Sequence, residues 1–282
     1  GVGGTVGGFR NVVIIRGGAP NENVYYLDGI EIPNINHFAT QGSAGGPVGL
    51  LNVSFFEGVT LSASSFDAQY DNALSGVLQF DQRNGNAREF TGNFRLGSSE
   101  SALTVEGPLF KGDDTEANTT FIASVRRSYL QLLFDAIGLP FLPDYWDYQY
   151  KVNHQFDEYN SLLVTGVGSI DNFAINELDE FDAEQKAIQE QVPVIQQQTN
   201  TIGATWNRLF KDRSGSLRLT LSTNRLENEF SQFEDNVNKQ GLYFRNDALE
   251  QEIKLRVNVT KFMGDWITNY GAEHEDKREG LE

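Results

Sequence analysis

Residues Val13 to Gly29 read V-I-I-R-G-G-A-P-N-E-N-V-Y-Y-L-D-G. The apolar run Val13-Ile14-Ile15 stops at Arg16-Gly17-Gly18. A Pro20-Asn21 turn follows, and a second run, Val24 to Leu27, stops at Asp28-Gly29. Short runs rich in β-branched and aromatic residues and bounded by turn residues predict buried strands. Asp28-Gly29 is a strong type I′ hairpin signal, because both central positions of that turn need positive φ. Gly17 and Gly18 can take positive φ or admit a close neighbour. Arg16, at a strand end, is either a buried arginine that requires an acidic partner or a solvated turn residue.

Around this stretch, residues 1–85 are rich in glycine and carry further short runs at Val12–Ile15, Val53–Phe56, Val59–Leu61 and Gly76–Phe80. They predict a small mixed domain of short strands and loops. After Asn84-Gly85-Asn86 the pattern changes to long period-two alternation. In 148–156, Tyr148, Tyr150, Val152, His154 and Phe156 oppose Gln149, Lys151, Asn153 and Gln155. In 249–260, Leu249, Ile253, Leu255, Val257 and Val259 oppose Glu250, Glu252, Lys254, Arg256, Asn258 and Thr260. Residues 89–97 behave alike, with Phe90, Gly92, Phe94 and Leu96 on one face, and weaker copies occur at 101–110, 119–128, 161–170, 199–209, 216–226 and 265–274. Alternation over about ten residues marks a barrel strand with one face in lipid and one in a wet lumen. The fold class expected is mainly β: residues 1–85 as a partial domain of mixed short strands, then 86–282 as about nine antiparallel barrel strands.

The connections alternate in length. Those near 157–159, 210–215 and 262–265 are short, and those at 129–145, 171–197 and 228–246 are long, as inner turns and outer loops of such barrels are. Phe110, Phe156, Phe210 and Phe262 stand at the inner turns with Tyr159 and Trp266 beyond two of them, the arrangement of an interfacial aromatic girdle. Only Phe156 and Phe210 keep the apolar parity of their strands. Tyr129 to Gly138 departs from β patterning and predicts a short helix with a glycine stop.

Composition removes several function classes. The chain has 282 residues, net charge −17, no cysteine and one methionine. Disulfides and thiolate metal sites are excluded, and nucleic acid is not an expected partner, since phosphate binding wants clustered cations. Acidic residues gather at 176–190 and 227–235, read as loops. No apolar run approaches ~18 residues, the length of a membrane helix, which leaves barrel strands open. Phosphate-loop, nucleophile-elbow and zinc-protease motifs are missing, and the histidines (His37, His154, His274) are far apart. No enzyme and no cofactor is expected.

Ile15-Arg16-Gly17-Gly18, Val24 to Ile30, Ile32-Pro33 and Tyr70 to Leu78 together resemble the plug of TonB-dependent outer-membrane receptors over about residues 9–85. The chain departs from the family pattern at Tyr70-Asp71 and at Ser62-Ala63-Ser64. The resemblance implies a plug that blocks a barrel of about 22 strands, so this chain is expected to be a piece that lacks the start of the plug and most of the barrel. It implies residence in the outer membrane of a Gram-negative bacterium, contact with outer-membrane lipid, and import of a scarce nutrient of the ferric siderophore, cobalamin or glycan class. The TonB complex would supply the energy through an N-terminal segment not in this chain, and a surface lipoprotein is a possible further partner. Arg16, Gly17, Gly18, Asp28 and Gly29 become structural plug residues, with Arg16 meeting barrel carboxylates. The loop after them carries the expected ligand contacts, Asn34, Asn36, His37, Phe38 and Gln41; its other reading is an Asn-rich loop packed on the barrel wall. A different class, a secreted or surface β-rich binding or adhesion protein without transport, stays open, as does a receptor that signals on binding.

Overall fold

The computed structural model describes residues 2–4, 12–39, 45–63, 66–110, 116–139, 141–176 and 193–281. Short strands come first: β1 (Val2–Gly4), β2 (Val13–Ile15), β3 (Asn23–Leu27), β4 (Ile30–Ile32), β5 (Asn36–His37), β6 (Val48–Gly49), β7 (Phe56–Ser62) and β8 (Gly76–Gln82). A four-stranded sheet has the order β4-β3-β8-β7, with β3 parallel to β8 and the other pairs antiparallel. Strands β3 and β8 are central, so Val24 to Leu27 is buried on both faces. Tyr25 and Leu27 pack with Ile32, Leu50 and Phe80 on one side, while Val24, Tyr26 and Val77 pack on the other.

The two turns of the opening stretch form for the expected reason. Asp28 (φ 51°) and Gly29 (φ 82°) link Leu27 to its partner Ile30, the positive-φ pair of a type I′ hairpin. Arg16 (φ 54°) and Gly17 (φ 81°) repeat it, closed by Gly18 N–H donating to Ile15 O at 3.0 Å. Gly18 serves differently: a Cβ there would overlap the side chains of Ser75 and Glu22. Arg16 itself is exposed, which matches the solvated alternative rather than a buried pair. Val53–Phe55 is a 3-10 turn and not a strand. Asn52 caps it by accepting a hydrogen bond from Ser54 N–H at 3.1 Å, and that local bond competes with sheet pairing.

The remaining strands are β9 (Thr91–Leu96), β10 (Glu100–Phe110), β11 (Thr119–Ser128), β12 (Phe141–Asp157), β13 (Asn160–Ile175), β14 (Val194–Leu209), β15 (Gly215–Asp235), β16 (Gln240–Met263) and β17 (Trp266–Leu281). They form one antiparallel sheet in unbroken chain order. Helix α1 (Leu130–Ala136) lies between β11 and β12 and ends at Gly138 with φ 69°, a left-handed stop. The long loop expected at 228–246 is instead a hairpin: β15 and β16 stay paired to Asp235↔Gln240. Asp235 tightens its tip by accepting from the N–H groups of Val237 and Asn238, at 3.0 Å each. The acidic residues at 227–235 are therefore on a strand, and Glu227 and Glu229 pair with Arg225 and Arg245. Most of the other acidic stretch, 177–192, lies outside the described residues. Phe110 departs from its strand's parity because a bulge separates Pro108 from Phe110.

The two faces of the large sheet are opposite in character. Phe90, Phe94, Leu103, Val125, Trp146, Ile170, Ile202, Leu221, Ile253 and Leu255 are exposed on one face. Arg126, Asp147, Gln149, Lys151, Thr165, Asp171, Thr201, Lys254 and Arg256 are buried on the other. A sheet standing in water does the reverse. Apolar out and polar in is the arrangement of a strand in lipid.

Candidate functional site

The buried polar face meets the short strands at three places, two on the four-stranded sheet and the third on the separate β5–β6 pair. At the first, Asp28 in the β3–β4 turn accepts from Gln82 N–H (2.9 Å) and Gln82 Nε2 (2.7 Å), and Lys151 Nζ stands 3.4 Å from its Oδ1. Lys151 also donates to Gln82 O. Gln82 is tied to the wall twice more, donating to Thr165 Oγ1 at 2.8 Å and accepting from Gln149 Nε2 at 2.7 Å. Burial pushes the Asp28 carboxyl up, opposed by Lys151 and the Gln82 hydrogen bonds.

At the second, Glu31 on β4 receives Lys254 at 2.7 Å and lies 3.7 Å from Arg256. Arg256 is also bonded to Glu273 (2.5 Å) and sits over the Tyr26 ring at 5.2 Å. Burial pushes the Tyr26 phenol up; the Glu31 charge adds to this and Arg256 opposes it. Next to this place Ile30 fits into the wall at Gly203, where any Cβ would overlap its side chain. Asp71, Glu273 and Glu275 bring one carboxylate oxygen each within 4.8 Å of one another. Arg256 and Lys254 already neutralise Glu273 and Glu275.

The third centres on His37, 0% exposed. Its Nδ1 lies 2.7 Å from Asp171 Oδ1 and its Nε2 3.1 Å from Asp147 Oδ2. Carboxylates at both ring nitrogens require both to donate, which is the imidazolium form. Burial opposes that charge, but the hydrogen bonds and charges of Asp147 and Asp171 outweigh it and move His37 above its ordinary value. Phe38 N–H donates to Asp171 Oδ2 at 3.1 Å. Arg126 donates from Nε to Asp147 (2.7 Å) and from Nη2 to Gly49 O (2.8 Å) and Leu50 O (2.9 Å). Tyr145 stacks on the imidazole at 3.9 Å and donates to Glu100 Oε2 at 3.1 Å.

These contacts relocate the predicted ligand loop. Asn34, Asn36, His37 and Phe38 are all buried, and His37 and Phe38 lie against the wall. Phe38 meets Tyr145 and Phe173 edge-on, with ring centres at 6.3 and 5.8 Å. Their geometry fits the wall-packed reading of the loop; Gln41 lies outside the described residues. Asp147, Asp171, Arg126, Glu31 and Gln82 were not predicted. The polar parity of 148–156 and 249–260 did single out Gln149, Lys151, Lys254 and Arg256 as one face, without saying what that face meets. Below the Tyr26–Arg256 contact a cavity of about 1140 Å³ opens between Tyr70-Asp71 and the wall residues Tyr159, Arg218, Asn258 and Tyr270.

A small sheet anchored by buried ion pairs to a nine-stranded wall whose exposed face is apolar has counterparts among solved structures. The siderophore receptor PirA from Acinetobacter baumannii matches with TM-score 0.64 and 13% identity over 96% of this chain and 42% of its own. The pyoverdine outer membrane receptor FpvA from Pseudomonas aeruginosa gives 0.64 and 13% over 96% and 42%. The fold is that of a TonB-dependent receptor, plug and partial barrel. The copper transporter OprC shares it, at TM-score 0.63, 11% identity, 96% of this chain and 40% of that one. The chain thus spans about two fifths of the length of the structures it matches. No family model and no curated protein matches the sequence. The three polar contacts join the short strands to the long-stranded wall.

Proposed function

We propose that this chain is the C-terminal part of the plug, residues 1–85, and the N-terminal part of the barrel, about nine strands in residues 86–282, of an outer-membrane importer. The imported cargo is a scarce nutrient of the ferric siderophore, cobalamin or glycan class, and TonB drives its passage. The observation that carries the reading is the inverted wall: exposed apolar side chains outside, and inside a set of buried cations and carboxylates matched to the plug. Such contacts suit a gate. They hold the plug firmly in place, yet a buried polar contact can be rewetted on opening at less cost than a packed apolar core can be exposed. Among the described residues the polar groups of the three contacts are paired with one another, and the work assigned to them is conformational. Of the ligand contacts expected at Asn34, Asn36, His37, Phe38 and Gln41, the buried ones act through the plug's seating.

The experiment uses the full-length gene. Uptake of labelled ferric siderophores, cobalamin and oligosaccharides is measured in outer-membrane-competent cells with and without TonB. TonB-dependent uptake of one class supports the reading. A full-length product that is soluble and monomeric without detergent refutes it and returns the secreted binding protein.

A further inference from the structure

The His37 contact has a property that the other two plug–wall contacts lack: its cation can lose its charge near neutral pH. We propose that withdrawal of the plug from this wall is linked to release of one proton from His37. The inference deepens the gating role and rests on the plug-and-wall reading.

The argument begins with what faces the imidazole. From β12 come Asp147 and the stacked Tyr145, from β13 Asp171, from β11 Arg126; Glu100 on β10 reaches Arg126 at 3.4 Å and Tyr145 at 3.1 Å. From its own loop come Asn36 and Phe38. Asp147 is shared between His37 and Arg126, so it keeps one cation if the plug leaves. Asp171 has no such reserve: its described partners are His37 and the Phe38 N–H, both on the plug. Arg126 lies 3.4 Å from His37 Nε2, but that nitrogen needs its proton for Asp147, and Arg126 is committed to two plug carbonyls. Arg95 pairs with Glu100 at 2.8 Å, so the group sets three cations against three carboxylates while His37 is protonated, and two against three when it is not.

The sign follows from linkage. Clamped between carboxylates, His37 holds its proton above its ordinary value. Freed into water, it returns to about 6.5. Below that pH both states are protonated, and the clamp holds at full strength. Between the free and clamped values, opening expels a proton, so the opening constant rises about tenfold per pH unit. Above the clamped value the extra stability is gone. The other two contacts draw their cations from lysine and arginine, not histidine. The His37 clamp is thus firmest below about pH 6.5 and loosens as the medium turns alkaline.

The test is hydrogen exchange on the purified full-length receptor from pH 6 to 9, corrected for the intrinsic pH dependence of exchange. Segment 34–39 reports the clamp and β15 serves as control. Protection of 34–39 is expected to fall about tenfold per pH unit above 6.5, with β15 flat. His37→Gln abolishes the slope. Asp171→Asn, which keeps the histidine and removes one carboxylate, ends the slope at lower pH. Absence of the slope in the unaltered receptor, or its survival in His37→Gln, overturns the proposal. Neither cargo nor TonB enters this measurement, so a receptor that keeps the slope but imports nothing overturns the transport reading alone.

Discussion

Replacing Lys151 by Met removes the cation that faces Asp28 and leaves the rest of that contact in place. Both side chains are nearly excluded from water, 9% and 7% exposed, so water cannot take over from the lost ammonium. Asp28 would keep only its two Gln82 hydrogen bonds. Breaking a buried pair from one side costs about 3–5 kcal/mol. At about 1.4 kcal/mol per factor of ten, the lower figure lowers protection of the β3–β4 turn by roughly a hundredfold. The double variant Lys151→Met with Asp28→Asn should recover most of this. Asn tolerates the positive φ of position 28 and can still accept from Gln82 N–H. The pH dependence has a definite sign. A carboxyl whose pKa is raised in the seated plug binds its proton more tightly there than in water, so seating strengthens as pH falls through the raised value. Lys151→Met removes an opposing influence and raises it further, so the variant should regain protection on acidification more than the parent does. The assay is hydrogen exchange at residues 27–32 in the full-length receptor. A single variant that matches the parent, or a double variant as unprotected as the single, would refute the claim that Lys151 compensates a buried Asp28.

Three further outcomes follow from the same structure. Gly203→Val should push Ile30 out of its place at a cost of about 1–3 kcal/mol, seen as increased protease sensitivity of the plug; Ile30→Ala in the same chain should restore resistance. Leu221→Arg and Leu255→Arg put charges on the exposed apolar face at a directly opposed pair, and should cost about 2–4 kcal/mol each near the membrane midplane. Thr220→Ala on the inner face should cost far less, measured by folding into lipid vesicles. Gly29→Ala introduces a Cβ at φ 82° and should destabilise the β3–β4 hairpin by about 1–2 kcal/mol, read as earlier exchange of Leu27 and Ile30.

How much was legible differed between the two sheets. The alternation at 148–156 and 249–260 gave both strands and the face each residue takes, because a strand's side-chain period is fixed by backbone geometry alone. Asp28-Gly29 and Gly138 were legible because positive φ is a property of single residues. The hairpin at 228–246 misled because its polar and acidic composition resembles a loop, while cross-strand pairs such as Glu229 with Arg245 hold it extended. Val53–Phe56 misled in the other direction, since its apolar residues read as a strand and the Asn52 cap wound them into a turn.

His37 shows where the sequence stops. Its neighbours in the chain, Asn34, Asn36 and Phe38, suggested a polar loop open to a ligand; 110 and 134 residues separate it from Asp147 and Asp171. Local chemistry set by the sequence was sufficient for most of the long strands, the two faces of each and the positive-φ turns. Only the tertiary structure decided which inward residues meet the plug. That depends on the register accumulated across successive strand pairs and on where the plug comes to rest, and no local pattern encodes either. The charges at the three contacts acquire their partners, and His37 its proton, only when those distant segments close on one another.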